Sequence, residues 1–257
     1  MINLDAIIAW GKTHPWPSLE QVEQDLLISR AVCEIASDSY LSKELVFRGG
    51  TALNKLFTKA AYRYSEDLDY VRLTDGGIGQ LLSALRSIGE QLGFTVSTKI
   101  AAHPKVIWKT VAQNGIPIRI KIEINTHERV PALPPKQCSF SVDSRWWSGS
   151  ALVQTYQLSE LMASKLRALY QRSKGRDLFD IWLALEHLEV DSKEVLAVFP
   201  LYRPEGLTSQ VAIDNLDAKL ANRAFRIDLD ALVSSLPREY SIEVAAELVK
   251  SKLLSKL

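Results

Sequence analysis

The sequence predicts an α+β protein: a mixed sheet with flanking helices, followed by a C-terminal helical bundle. Three observations carry that prediction. The run IPIRIKIEINT alternates apolar and polar residues, the pattern of a strand with one buried face. ELVFRGG and YSEDLDYVRL read as short strands on either side of a helix begun by TALNKLF. From residue 157 onward the pattern is helical. The chain therefore divides into an α/β part, residues 1–155, and a helical part, residues 156–257, joined in the stretch 130–155.

Each element has a local reason. Two prolines in HPWPS restrict the backbone, and Ser18 is placed to cap a helix over LEQVEQDLLISRAVCEIASD. Within it Leu19, Val22, Leu26, Ala31 and Ile35 keep a helical spacing. DGG at 75–77 marks a turn, and residues 78–92 form a helix with Ile78, Leu81, Leu82, Leu85, Ile88 and Leu92 on its apolar face. FTVSTKI, KVIWKTVA and IPIRIKIEINT then read as an antiparallel meander or sheet edge. The segment 129–150, with Pro131, Pro134, Pro135 and SGS, reads as loop. No internal repeat or low-complexity tract interrupts the chain.

At 257 residues the chain can bury a core without a metal or a disulfide. Its 31 Lys and Arg nearly balance 30 Asp and Glu, so the net charge of +1 gives no long-range pull toward nucleic acid or an anionic membrane. Any polyanion contact must come from a local patch. Cys33 and Cys138 are too few for a disulfide framework and no cationic, apolar leader opens the chain, so the expected compartment is the cytoplasm. No apolar run approaches the roughly 20 residues that span a bilayer, and no membrane partner is expected.

Alternate side chains of a strand share a face, so Asp67 and Asp69 point one way while Leu68 and Tyr70 point to the core. Two carboxylates at that spacing suit a divalent cation. Mg²⁺ takes oxygen ligands at about 2.0–2.1 Å, usually from one or two carboxylates together with substrate phosphates. An isolated D-x-D is also the mark of a solvated strand edge, and here the context matters. The strand IPIRIKIEIN puts Arg119, Lys121, Glu123 and Asn125 on its polar face, so Glu123 offers a third carboxylate. Three carboxylates from neighbouring strands can ligate two metal ions that clamp the attacking and leaving oxygens of nucleotidyl transfer, and the third can serve as base. Like charges held that close need neutralising. A metal does this, and Arg119 with Lys121 is the alternative for Glu123.

Gly49 and Gly50 follow a strand and precede a helix, so their amides and the helix N-terminus make an anion site, with Thr51 capping the helix or touching a phosphate. A glycine pair after a strand is often only a turn. Its nearness to D-x-D makes one unit of phosphate cradle and metal ligands. Further on, SELMASKLRALYQRSKGRDLFDIWLAL places Lys165, Arg172 and Arg176 at intervals of seven and four, close to one helical face that can receive phosphates. The alternative is a solvated face in which Gly175 ends the helix and Asp177 caps the next, with Asp180 in its first turn.

FRGGTAL followed by RYSEDLDYV resembles the first motif of the DNA polymerase β-type nucleotidyltransferase superfamily, in which a glycine pair precedes two metal-binding acids one residue apart. More narrowly it resembles the toxin component of type IV abortive-infection (AbiE-type) toxin–antitoxin systems, and KLRALYQRSKGRDLFDIW is similar to that family's second conserved region. The matched segments are 46–71, 119–125 and 160–182, with 183–257 matching only as a helical tail. The resemblance implies a nucleotidyltransferase-like sheet domain and a helical domain that completes the nucleotide site. It implies that Asp67 and Asp69 bind metal, with Glu123 standing where many members carry aspartate. It places Gly49, Gly50 and Thr51 along the triphosphate, with Ser65 as a further phosphate hydrogen-bond partner and Lys165 in contact with it. Arg172 joins Lys165 in neutralising the leaving charge, while Arg176, Asp177 and Asp180 shape the nucleotide site or substrate groove. Asp177 can alternatively orient Lys165 or Arg172 through a salt bridge. The implied cofactor is Mg²⁺, as two ions, or Mn²⁺ in its place. The implied partners are a nucleoside triphosphate, a tRNA 3′ end or other RNA acceptor, and an antitoxin with a DNA-binding domain.

Two other functions stay open on the residues alone. One keeps the enzyme and changes its acceptor to a small molecule or a protein side chain; the other is a non-catalytic binding module on the same fold. Several residues are set aside. Asp228 and Asp230 read as helix-start acids, and His14, His103, His127 and His187 have no ligand spacing. Trp146 and Trp147 read as a loop anchor before a base-stacking pair, and YSIEVAAELVKSKLLSKL as a packing helix.

Overall fold

A computed structural model describes residues 2–257. The chain forms two compact units, one ending at Tyr156 and the other spanning Gln157–Leu257. The first unit runs α1 (Leu4–Gly11), α2 (Leu19–Ser37), α3 (Leu41–Glu44), β1 (Leu45–Arg48), α4 (Gly49–Leu56), β2 (Asp67–Arg72), α5 (Gly79–Gln91), β3 (Thr95–Lys99), β4 (Lys105–Val111), β5 (Pro117–Asn125), β6 (Lys136–Asp143) and β7 (Ser148–Thr155). Its strands make one mixed seven-stranded sheet in the order β3-β4-β5-β2-β1-β7-β6.

The predicted α2 forms as expected, with Ser18 and Gln21 in a reciprocal capping box that satisfies two end-turn amides. Its buried stripe of Val22, Leu26, Ile28, Ala31, Val32 and Ile35 supplies much of the core. The meander β3–β4–β5 is antiparallel as predicted. Strand β5 then lies parallel to β2, which makes the acidic strand and the strand of Glu123 direct neighbours in the centre of the sheet.

Two readings are corrected. The segment read as loop from 129 to 150 is loop only in its proline-rich first part; Lys136–Thr155 is a β-hairpin whose second strand joins β1 in parallel. Cys138, Val142, Val153 and Thr155 are its buried positions, an alternation hidden by the many Ser and Gly between them. Helix α1 was not anticipated; Asn3 caps it by accepting from the Ala6 amide at 2.8 Å, and Ala6, Ile7 and Trp10 are buried.

The second unit is helical throughout: α6 (Leu158–Gln171), α7 (Gly175–His187), α8 (Ser192–Val198), α9 (Ser209–Leu220), α10 (Arg223–Arg226) and α11 (Ile242–Lys252). Phe179 and Trp182 pack edge-on against Tyr240, with ring centroids 5.0 and 4.9 Å apart. Asp228 and Asp230 do not start a helix but lie in turns after α10. Asp228 accepts instead from the Arg176 amide at 3.2 Å, a substitute cap for α7. Among the described residues, Cys33 and Cys138 are free and buried and no helix is long and apolar enough to cross a membrane.

Candidate active site

The central strands fix the site through their register. Arg48 on β1 faces Asp69 on β2, Asp69 faces Glu123 on β5, and Glu123 faces Lys105 on β4. One rung across four strands thus reads cation, acid, acid, cation. Two positions along, on the same face, Asp67 faces Lys121. The three acids that sequence nominated therefore share one sheet face, interleaved with basic residues. Lys121 Nζ lies 2.9 Å from Asp67 Oδ2 and 3.6 Å from Glu123 Oε2, and Lys105 Nζ lies 2.9 Å from Glu123 Oε2. Arg48 turns its guanidinium to Glu128, with Nη1 2.9 Å from Oε2.

The acids differ in electrostatic state. Desolvation pushes the Asp69 carboxyl up, the neighbouring charges of Asp67 and Glu123 add to the rise, and Arg48 and Lys121 offset it only in part. Burial also opposes ionisation of Glu123, but the hydrogen bond and charge of Lys105, with Lys121, hold its carboxyl below the usual value. Lys121 is desolvated too, and Asp67 and Glu123 nonetheless hold its proton more tightly than usual. Asp69 is thus the acid short of positive charge.

The glycine pair does more than precede the helix: Gly49 and Gly50 are the first two residues of α4. Gly49 has φ +85°, which L side chains rarely adopt, and a Cβ there would sit 2.6 Å from Asp69 Oδ2. The missing side chain is what lets that carboxylate stand against the helix N-terminus. A Cβ on Gly50 would collide with the guanidinium of Arg63, which is 4% exposed and donates to the Tyr64 carbonyl at 3.0 Å. No side chain caps α4, so its first-turn amides are available to an anion. Thr51 does not cap this helix. It is buried, donates to the Asp67 carbonyl at 2.5 Å and lies 2.9 Å from Ser65 Oγ, tying α4 and Ser65 to the acidic strand.

In the helical unit the predicted stripe does not exist as one face. Helix α6 ends at Gln171, Arg172 is its extended C-cap, and Gly175 opens the next helix instead of closing the first. Arg176 on α7 is drawn to Asp228, 3.7 Å away. What forms is a buried charge cluster. Lys165 Nζ lies 3.2 Å from Asp177 Oδ1 and 2.7 Å from Asp180 Oδ2, and Arg172 grips Asp177 with two hydrogen bonds of 2.7 and 2.8 Å. Asp177 caps nothing; it orients Lys165 and Arg172, the alternative that the sequence left open. Burial raises the Asp177 carboxyl, but Lys165 and Arg172 overcome this and hold it down at about 2. Lys165, its side chain 6% exposed, is spent on these aspartates, whereas Arg172 keeps 52% exposure.

Among the described residues no three His, Cys, Asp or Glu side chains converge as a ready-made metal cage. A pair suffices for Mg²⁺ when substrate phosphates complete the shell. Asp67 and Asp69 fit that demand, since Asp69 lacks compensating charge and Gly49 clears its approach. His127 Nε2 contacts the Ala102 carbonyl at 3.0 Å and packs edge-on to His103, whose charge helps to lower the Glu123 carboxyl. Trp146 and Trp147 lie beneath Arg30, 5.1 and 5.3 Å from its guanidinium carbon, as a turn anchor. The residues that sequence missed are Arg48, Arg63 and Lys105. Arg48 stands beside the glycines in FRGG and was within reach of inspection, but Lys105 meets Glu123 only through the strand register.

A mixed sheet whose central strand carries D-x-D beside a glycine-opened helix fits the nucleotidyltransferase class that the resemblance implies. The chain belongs to the AbiEii nucleotidyltransferase toxin family of type IV toxin–antitoxin systems, whose family model matches residues 30–247. Its fold is similar to that of MenT4, a nucleotidyltransferase toxin from Mycobacterium tuberculosis H37Rv, at 18% identity and a TM-score of 0.64, covering 98% of this chain and 88% of that one. An antigenic nucleotidyltransferase-like protein from Paracoccidioides brasiliensis aligns at 16% identity and a TM-score of 0.41, over 86% of this chain and 96% of that one. No curated protein matches the chain.

Proposed function

We propose that the protein transfers a nucleoside monophosphate from a nucleoside triphosphate to an acceptor hydroxyl, releases pyrophosphate, and uses the 3′ end of tRNA as acceptor. The observation that carries this reading is the placement of Asp67 and Asp69 against the uncapped N-terminus of α4, with Gly49 cleared to admit the Asp69 carboxylate. Asp67 and Asp69 would hold Mg²⁺ or Mn²⁺, with Glu123 as a third ligand or as base. Such an ion, when bound, neutralises the triphosphate and lowers the pKa of the acceptor hydroxyl.

The chain's own groups supply the rest. The free amides of α4 bind phosphate oxygens and orient the triphosphate. Thr51 holds α4 to the acidic strand and so fixes the distance between amides and carboxylates. Lys105 keeps Glu123 ionised, hence ready to accept the proton of the attacking hydroxyl. An antitoxin with a DNA-binding domain is the proposed partner.

Purified protein, each labelled nucleotide in turn, Mg²⁺ and total RNA test the reading. Label is expected in the tRNA band and is expected to vanish with Asp67→Ala or Asp69→Ala. Label in protein or small molecules instead would reassign the acceptor. No transfer with any nucleotide, or transfer that survives both substitutions, would overturn the reading.

A further inference from the structure

Acids and bases alternate on the sheet face. Asp67, Asp69 and Glu123 stand beside Arg48, Lys105 and Lys121 at two positions of the register that share this face. Lys121 is the member that touches two of the acids, 2.9 Å from Asp67 and 3.6 Å from Glu123, on neighbouring strands. A cation ligated by those two carboxylates would take the place that the ammonium now fills. The Lys121 side chain is 22% exposed on a flexible stem, so it can leave that place without unfolding the strand.

We propose that Lys121 is an internal counterion that competes with the divalent metal for Asp67 and Glu123, and that the triphosphate recruits the ammonium when the metal displaces it. The inference rests on the metal-dependent reading above. Its consequence is coupling. Without nucleotide, the metal must evict a bound ammonium into water; with nucleotide, the ammonium gains phosphate oxygens 1:1 for the carboxylates it loses. By linkage each ligand then tightens the other.

The test uses the full chain, Mn²⁺ as probe and electron paramagnetic resonance of free Mn²⁺ as readout, with no nucleotide present. Lys121→Met keeps the stem and removes the charge, and its Mn²⁺ affinity should rise about tenfold, between the weight of an exposed ion pair and that of two charges ~4 Å apart near a surface. Lys121→Arg keeps the charge and should bind Mn²⁺ like the wild type. As a second readout, the metal-free melting temperature of Lys121→Met should fall, and Mn²⁺ should raise it by more than it raises the wild type. Equal Mn²⁺ affinity in wild type and Lys121→Met, with transfer that chelation abolishes, overturns this inference alone. Transfer that survives both chelation and Asp67→Asn overturns the metal-dependent reading beneath it.

Discussion

Both charge clusters of this protein pair carboxylates with basic side chains, and they have opposite properties. On the sheet, Asp67, Glu123, Lys121 and Lys105 meet at partly exposed positions, side chains 22–40% accessible, and pair one oxygen at a time. In the helical unit, Asp177 and Asp180 are sealed at 0 and 1% and Asp177 holds two cations. An exposed pair contributes at most about 1 kcal/mol and exchanges partners easily, whereas breaking a buried pair strands a charge at a cost of about 3–5 kcal/mol. The first cluster is therefore suited to receiving ligands and the second to holding the fold.

Substitution separates the two. The largest effect is expected from Asp69→Asn, which should lower the rate of nucleotide transfer by about 10³-fold, the scale of losing one group that stabilises transition-state charge. The same substitution should raise the melting temperature of the metal-free protein at neutral pH. Asp69 is a half-buried acid whose carboxyl is pushed up by desolvation and by Asp67, so its ionised form destabilises the fold, and removing the charge relieves this. A fall in both activity and melting temperature would break the comparison.

Asp177→Asn should do the reverse in stability. It leaves Lys165 with Asp180 alone and strips Arg172 of its fork, and urea unfolding should show a loss of about 3–5 kcal/mol. The pH dependence follows from the same carboxylate. Its folded value of about 2 lies below the ordinary one near 3.8, so its contribution is complete above pH 4 and is lost as pH falls from about 4 to 2. Two units correspond to about 2–3 kcal/mol. An acid titration of unfolding free energy should show a step in that window in the wild type and a smaller one in Asp177→Asn.

Much of this site was legible in the sequence because strand periodicity is rigid. D-x-D on one strand and Glu123 in IPIRIKIEIN had to share a face once β2 and β5 were neighbours, and they are. Which base answers which acid depends on register, and no local pattern encodes that Lys105 on β4 meets Glu123. The helical stripe failed for a different reason. A helix that ends at Gln171 breaks the periodicity on which Lys165, Arg172 and Arg176 were aligned, and Gly175, read as a terminator, serves at the start of α7. The hairpin Lys136–Thr155 was hidden because Ser and Gly, poor strand formers alone, are carried there by pairing along eight positions.

Gly49→Ala probes the join between the helix and the acid. The new methyl meets Asp69 Oδ2 and the backbone sits at φ +85°, so about 1–3 kcal/mol of stability should be lost. Activity should fall by more than that stability loss accounts for, because the carboxylate itself is displaced; the check is transfer rate at a temperature where the variant is fully folded.

The smallest expected effect sharpens the comparison most. Thr51 belongs to neither charge cluster, yet its hydroxyl is the direct tie between α4 and the backbone of Asp67. Thr51→Val keeps shape and burial and removes that hydrogen bond, leaving the Asp67 carbonyl short of a donor, at a cost of about 1 kcal/mol. If the site is a distance held between helix amides and strand carboxylates, this uncharged change should weaken nucleotide binding severalfold. Thr51→Ser, which restores the hydroxyl, should recover it. Unchanged nucleotide affinity in Thr51→Val at the expected stability loss would mean that α4 and β2 are positioned by packing alone. The glycine amides and the acids would then be two neighbouring features with no fixed geometry between them.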